Sequence, residues 1–586
     1  MSTQHLLLIS LGPIQDFIAS ARRCQDLWFG SWLLSELARV TAEAVQQTGT
    51  TVIFPAGLAA NADRPGVANL VLALVEGDPA EIARQADKAM RARLSQVATV
   101  AWKDVPPRWF KRSTALAQLD ELMELSWVCV PSTGEYEADR EKLYGRMAAL
   151  KNTRLWTQPT WDSGVGVPKS SLDGERESVI DEAVFKALTA EQRRRAFGLK
   201  GAERLCGVGL LKRKGVDDAD IFESKPPFHS TSHLAMVPTI ERLSSAKSRV
   251  QVYLEDLETL GLPLNRFEVG EGGPPTLNGY DGVLLMESRL EDHFTTEAPG
   301  FAERSKAERD VTLTHAKSAL RKLLKNRIPC PYYAFLLADG DNMGKAIDGI
   351  NSIEGHLALG KALNTFASDC RPIVEKHHGS LIFAGGDDVL ALLPLHTAVA
   401  CARELRERFI QVGHGTSLSV GLGFSHCREP MSEARALAKR AEGLAKAHPG
   451  KDALGIIVAK RSGGDLSLVG GWSDSHALDE RIEKWIEILD AEGLAAKAAH
   501  DLEEVAAHYD DVPDKAARAD EIISLARQVL SRKRARGGEA MDTELHQLLR
   551  SRIGGEDPAA RVRELSVELQ VARQLHKAHL DAAERT

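Results

Sequence analysis

Two stretches of the chain repeat one order of apolar runs and helical periods, and that order restricts the fold more than any other feature. In the first, a strand is predicted near His5 to Ser10, a helix from about Pro13 to Gln47, and strands at Thr51 to Phe54 and Asn69 to Val75. A second helix follows Asp78-Pro79 to about Val100, and Ser126 to Val130 supplies a fourth strand. In the second stretch, Tyr332 to Gly463, strand YYAFLLAD and turn GDNMG precede helices reaching His378, after which LIFA and VLALLP flank GGDD as a hairpin. Helix AVACARELRERFI, strand SLSVGLGF, helix MSEARALAKRAEGLAKAH and strand GIIVAKRSG complete it. The order βαββαβ is that of a ferredoxin-like sheet, so the expected class is α+β with two such units.

A chain of 586 residues exceeds one hydrophobic core. The expected domains are 1–130, a first ferredoxin-like unit; 131–325, an inserted irregular and helical segment rich in Gly, Pro and Ser; 326–470, the second unit; and 471–586, a helical bundle. Seven cysteines lie scattered with no C-x-x-C pair, which fits a reducing cytoplasm better than a disulfide framework. HLLLISLG is too short to cross a bilayer, so no membrane partner is expected. A net charge of -8 excludes general attraction to phosphate, so nucleic-acid contact must come through local basic patches or partner subunits.

The chemistry concentrates in two acidic turns. Asp387 and Asp388 sit in a tight hairpin between apolar strands, where Gly385 and Gly386 let the backbone approach a bulky anion. Their carboxylates offer hard oxygen ligands for Mg²⁺ or Mn²⁺. Asp339 ends a strand and opens Gly340-Asp341-Asn342-Met343-Gly344 before a helix, and the sheet order makes that strand a neighbour of the hairpin. Such a clamp suits attack of a ribose hydroxyl on an α-phosphate, with metals roughly 4 Å apart sharing the charge. Lys460 and Arg461, at the end of the unit's last strand, are expected to reach the triphosphate tail.

LLADGDNMGK with LIFAGGDDVLALLP resembles the second palm domain of the Cas10/Cmr2 family, the large subunits of type III-B CRISPR effector complexes. ISLGPIQDFIASARRCQDLWFGSWLLSEL, PKSSLDGERESVI, ERLCGVGLLKR and STSHLA are similar to further family signatures, so the resemblance spans nearly the whole chain. It implies two facing palms that bind ATP across their interface and make cyclic oligoadenylate when target RNA joins the guide-RNA complex. It also implies partners: the other subunits, guide RNA and target RNA. By the same resemblance Asp339, Asp387 and Asp388 match metal-binding acids, Gly340, Asp341, Asn342 and Gly344 a nucleotide-binding turn, and Gly12, Pro13 and Gln15 the first palm's facing loop. The family's histidine-aspartate nuclease domain is not expected here, and His500-Asp501 reads as surface. Where the family has two C-x-x-C pairs, this chain has Ser170, Asp173, Cys206 and Gly209, so no zinc is expected. The alternatives are a catalytically silent scaffold subunit and a palm enzyme that joins ATP to another small-molecule acceptor.

Weaker features receive plainer readings. The runs Arg532 to Arg536 and Lys212-Arg213-Lys214 are expected to be solvated rather than bound to RNA phosphates, and His377-His378 to end a helix. Trp28 and Trp32, at i, i+4 spacing, are expected in a core or subunit interface.

Overall fold

The computed structural model describes residues 4–56, 69–153, 166–216, 221, 229–262, 264, 266, 273–298, 300–412, 415–474, 476–492, 494, 497–532, 552–553 and 557–583. Most of the Arg532 to Arg536 run and the Gly554-Gly555 turn lie outside them.

Strands β1 (Gln4–Gly12), β2 (Thr51–Phe54), β3 (Leu70–Glu76) and β4 (Glu124–Pro131) form an antiparallel sheet in the order β2-β3-β1-β4. Helices α1 (Gln15–Ala19) and α2 (Cys24–Gln47) connect β1 to β2, and α3 (Pro79–Ala101) lies between β3 and β4. The unbroken apolar run of β1 has a simple cause, because both faces of the strand are buried. Leu7, Ile9 and Leu11 pack with Leu27 and Leu37 of α2, while Leu6 and Leu8 face Tyr136 and Leu143 of α4 (Tyr136–Asn152). Trp28 and Trp32 are core residues.

The segment between the sheets contributes α5 (Gly207–Gly215), α6 (Thr231–Leu243), α7 (Leu290–Glu297) and α8 (Lys306–Leu324). Ser170, Asp173, Cys206 and Gly209 converge there through hydrogen bonds: Cys206 Sγ donates to Asp173 Oδ2 (3.5 Å) and accepts from the Gly209 N–H (3.3 Å), and Ser170 also bonds the sulfur. Burial pushes the Cys206 thiol up to about 11.

Lys212 and Arg213 on α5 are buried, contrary to the expectation of a solvated run. Lys212 donates to the carbonyls of Phe17 and of Ser20 (2.9 Å), and its ammonium lies 4.2 Å from the centre of the Phe17 ring. Arg213 holds Asp26 through two bonds of 2.8 and 3.1 Å, and Asp26 in turn accepts the N–H groups of Arg22 and Arg23. These contacts explain why the helix expected over Pro13 to Gln47 is broken between α1 and α2. Side chains from a distant segment satisfy the backbone groups that the break exposes.

The second sheet contains β5 (Tyr332–Gly340), β6 (Ser380–Gly385), β7 (Asp388–Pro394), β8 (Leu418–His426), β9 (Ala453–Val458) and β10 (Leu466–Gly471) in the order β10-β9-β8-β5-β7-β6. The four strands β6-β7-β5-β8 at one side of it repeat the first sheet's arrangement, and β9 adds parallel to β8. Helices α9 (Met343–Asp348), α10 (Ile353–Lys376) and α11 (Ala398–Val412) accompany it, and α12 (Met431–Ala447) lies very close to β8 and β9. Gly421 and Gly455 permit that approach, since a Cβ at either would run into the α12 backbone at Glu442 or Ala441.

Helices α13 (Leu478–Glu492), α14 (Ala498–His508), α15 (Ala519–Arg532) and α16 (Pro558–Ala582) pack around Trp485, Leu502, Ile522 and Leu565. Buried Glu568 binds Arg481 at 3.0 Å and Arg552 at 2.6 Å, so its charge is compensated. His500 is exposed on α14. Among the described residues no helix is long and apolar enough to cross a membrane.

Two substitutions test this packing. Gly455→Val should destabilise the fold by about 1–3 kcal/mol or more through overpacking against α12, read as a lower denaturation midpoint. Lys212→Met keeps the volume but leaves the buried Phe17 carbonyl and the half-buried Ser20 carbonyl without this donor, and a loss of about 1–3 kcal/mol is expected in the same measurement.

Candidate active site

The sheet register creates the site. Ala338 of β5 pairs with Val389 of β7, so Asp339 lies one step beyond that pair, beside Asp388 at the same sheet edge. Gly385 pairs with Asp388 across the hairpin, and Gly386 turns the chain with φ +66°. Asp387 then folds back over β5: a Cβ on Gly340 would sit 2.8 Å from Asp387 Cβ and 2.9 Å from its carboxylate. Only glycine at 340 leaves that space.

The three carboxylates influence one another. Burial and then the Asp339 charge push Asp387 up to about 6. Burial, followed by the charges of Asp387 and Asp339, pushes Asp388 up to about 7. Asp388 still meets solvent, because the corner that surrounds it opens into a cavity. Asp339 hydrogen-bonds to both neighbours, so a proton on Asp387 or Asp388 bridges the crowded carboxylates. Among the described residues no three His, Cys, Asp or Glu side chains come together in an arrangement that could hold a metal ion by themselves. The donors here are oxygens only and face an open side, a set suited to a hard divalent cation completed by water or phosphate oxygens.

The cations that serve this corner are not the expected ones. Lys460 and Arg461 follow β9, whose end lies with the start of β5: Tyr332 donates its hydroxyl proton to the Ala459 carbonyl at 3.2 Å, and Arg461 acts on Tyr332. They therefore stand at the opposite edge of the sheet from Asp339, and Lys460 bonds Gln570 on α16. The expectation failed because β9 runs antiparallel to β5, so the end of one meets the beginning of the other. Lys446 on α12 takes the place, 2.9 Å from Asp339, 3.3 Å from Asp341 and 2.7 Å from the Gly340 carbonyl. Burial opposes its charge, but the two aspartates more than offset this and raise its pKa. Lys439, two turns earlier on the same face, acts on Asp388. This seven-residue spacing within MSEARALAKRAEGLAKAH was the available signal.

Asp341 is brought to the corner but points inward. It is 1% exposed and accepts from Ser417, Ser419 and the Asp452 N–H at 2.8–3.0 Å, so its carboxylate secures the turn instead of facing a ligand. Asn342 takes φ +55° and accepts from Lys451 at 3.1 Å, and Gly344 borders open space.

The cavity, about 380 Å³, runs between the two sheets' units. Gly385, Gly386, Asp387 and Asp388 line one side; Leu11, Ile14, Ile18, Leu34 and Phe54 of the first unit wall the other. Gly12 ends β1 and Pro13 follows it into the connection that carries this wall, and the Gln15 side chain lies outside the described residues. Arg140 on α4 locks the facing units by donating to the carbonyls of Ile347, Asp348 (2.9 Å) and Ile350 (3.1 Å) at the end of α9. Tyr136 and His356 meet across the same boundary at 2.8 Å.

Residues 332–455 match the family described as Cas10/Cmr2, second palm domain, and residues 6–99 match that described as CRISPR-associated protein Cmr2, N-terminal. The chain is similar to the CRISPR system Cmr subunit Cmr2 of Pyrococcus furiosus, 26% identical over 553 residues, which cover 80% of this chain and 63% of that protein. It thus spans less than two thirds of that relative's length. Two solved structures share its fold: a type III-B Cmr-beta apo state, with TM-score 0.65, 13% identity and coverage of 97% of this chain and 82% of the other; and Cmr-beta bound to cognate target RNA, with 0.63, 14%, 93% and 80%.

The pKa values set a pH test. Unfolded aspartates titrate near pH 4, so between about pH 4 and 7 the folded corner binds more protons than the unfolded chain. Its contribution to stability is complete below about pH 4 and is lost as pH rises through 7. Without divalent cations the melting temperature should therefore carry a falling component from pH 5.5 to 8, which Asp387→Asn flattens. Mg²⁺ affinity should rise over the same interval, and Lys446→Met should move its midpoint to higher pH.

Proposed function

This chain belongs to the Cas10/Cmr2 family, and from that premise we propose that it is the large subunit of a type III-B CRISPR effector complex which, with target RNA bound, joins ATP into cyclic oligoadenylate. The observation that carries the reading is that Asp339 meets Asp387 and Asp388, and that these last two line a cavity walled by the other palm. Other complex subunits, guide RNA, target RNA and ATP are the proposed partners, in keeping with the target-RNA-bound Cmr-beta neighbour.

Ionised Asp339, Asp387 and Asp388 would hold Mg²⁺ or Mn²⁺, which when bound acidifies the attacking hydroxyl and neutralises the leaving pyrophosphate. A ribose hydroxyl oxygen forms the new bond to the α-phosphorus of a second ATP, and the bond from that phosphorus to pyrophosphate breaks. Gly385 and Gly386 leave room beside the carboxylates for a phosphate. Leu11, Ile14 and Phe54 cover the opposite side and exclude water that would compete with the hydroxyl. Lys446 fixes Asp339 through their 2.9 Å ion pair. The 380 Å³ volume lies in the usual range for small-molecule sites.

Purified complex incubated with ATP, Mg²⁺ and target RNA should yield cyclic oligoadenylate by mass spectrometry. Asp387→Ala with Asp388→Ala should lower its formation more than about 100-fold without dispersing the complex. Unchanged product formation would remove the assignment, and products carrying another acceptor would redirect it.

A further inference from the structure

A second cavity, about 530 Å³, opens where the first palm, the inserted segment and the second palm meet. Four helices begin at its wall: α2 beside Arg23 and Cys24, α6 at Ser230 and Thr231, α7 at Arg289, and α12 at Met431. Each helix start brings the positive end of its dipole to the wall, with the His233 N–H already capped by Ser230 at 3.0 Å, so their convergence favours an anion.

The side chains add to that field. Arg22, Arg23, Lys200 and Arg289 line the cavity. Burial and then the neighbouring Arg213 push the Arg23 pKa down. The Nε of Arg289 is buried without a hydrogen-bond partner, while its Nη1 lies 4.0 Å from Asp292. The acids at the wall are already engaged. Asp281 accepts from the Val283 N–H at 2.8 Å and from Ser230 at 3.3 Å, Glu297 pairs with Arg194 at 2.6 Å, and Asp292 lies 3.9 Å from Arg428. The wall also includes the buried apolar side chains of Tyr280, Val283, Leu284 and Met431. Cationic and apolar walls together fit a phosphate attached to a ring system better than a bare inorganic anion.

We propose that this cavity binds a nucleoside polyphosphate, its phosphates held by the converging helix starts with Arg23, Lys200 and Arg289 and its nucleoside packed on Tyr280 and Leu284. The site is separate from the acidic corner and takes its ligand without a divalent cation.

Equilibrium dialysis of radiolabelled ATP against the purified full chain in EDTA reads it directly, because the acidic corner repels a triphosphate when cations are absent. One equivalent should bind saturably and be displaced by tripolyphosphate. Lys200→Gln with Arg289→Gln should weaken binding at least 10-fold at unchanged melting temperature, Arg289→Lys should retain most of it, and Asp387→Asn with Asp388→Asn should leave it in place. No saturable binding would overturn the proposal, as would equal affinity for adenosine, loss through the aspartate substitutions alone, or basic-residue-dependent binding of an RNA oligonucleotide but not of ATP. The acid-pair variant keeps this outcome distinct from the fate of the catalytic reading.

Discussion

Carboxylates at 339, 387 and 388 are confined to one edge of a sheet whose strands cannot move apart without breaking their ladder, and their mutual repulsion governs the second palm. Water alone would let such groups separate, but backbone pairing denies them that escape. Protonation and the ammonium of Lys446 relieve the charge in the absence of a divalent cation. The same strain on ionisation is what a bound cation would relieve.

Holding Lys446 in place requires α12 to lie almost on the sheet, and the glycines of β8 and β9 make that approach possible. Asp341 contributes from beneath, tying the turn after β5 to Ser417, Ser419 and the Asp452 N–H. Its role is to present Asp339, which explains how two acids two residues apart serve different ends.

The opposite wall of the cavity depends on connections far from it. Arg140 joins α4 of the first palm to the carbonyl end of α9 in the second, and Lys212 and Arg213 hold the segment around Phe17 to Asp26. The inserted segment is thereby a brace for the loop that carries this wall. Its basic run looked like a solvated patch because a linear sequence shows charge but not the carbonyls and carboxylates waiting for it.

Local pattern was enough for the two βαββαβ units, the hairpin that carries Gly385 to Asp388, and the neighbouring strand that ends in Asp339. Alternation, helical period and turn residues act over a few positions, so the chain displays them directly. The sequence did not reveal that Lys460 and Arg461 lie at the wrong edge, that Lys446 serves the acids, or that Asp341 turns inward. Those outcomes depend on strand direction and helix docking across more than a hundred residues. Amino-acid order alone determined which acids could share a sheet edge; tertiary packing decided which cations reach them and what wall they face, because electrostatic and apolar contacts act through space, not along the chain.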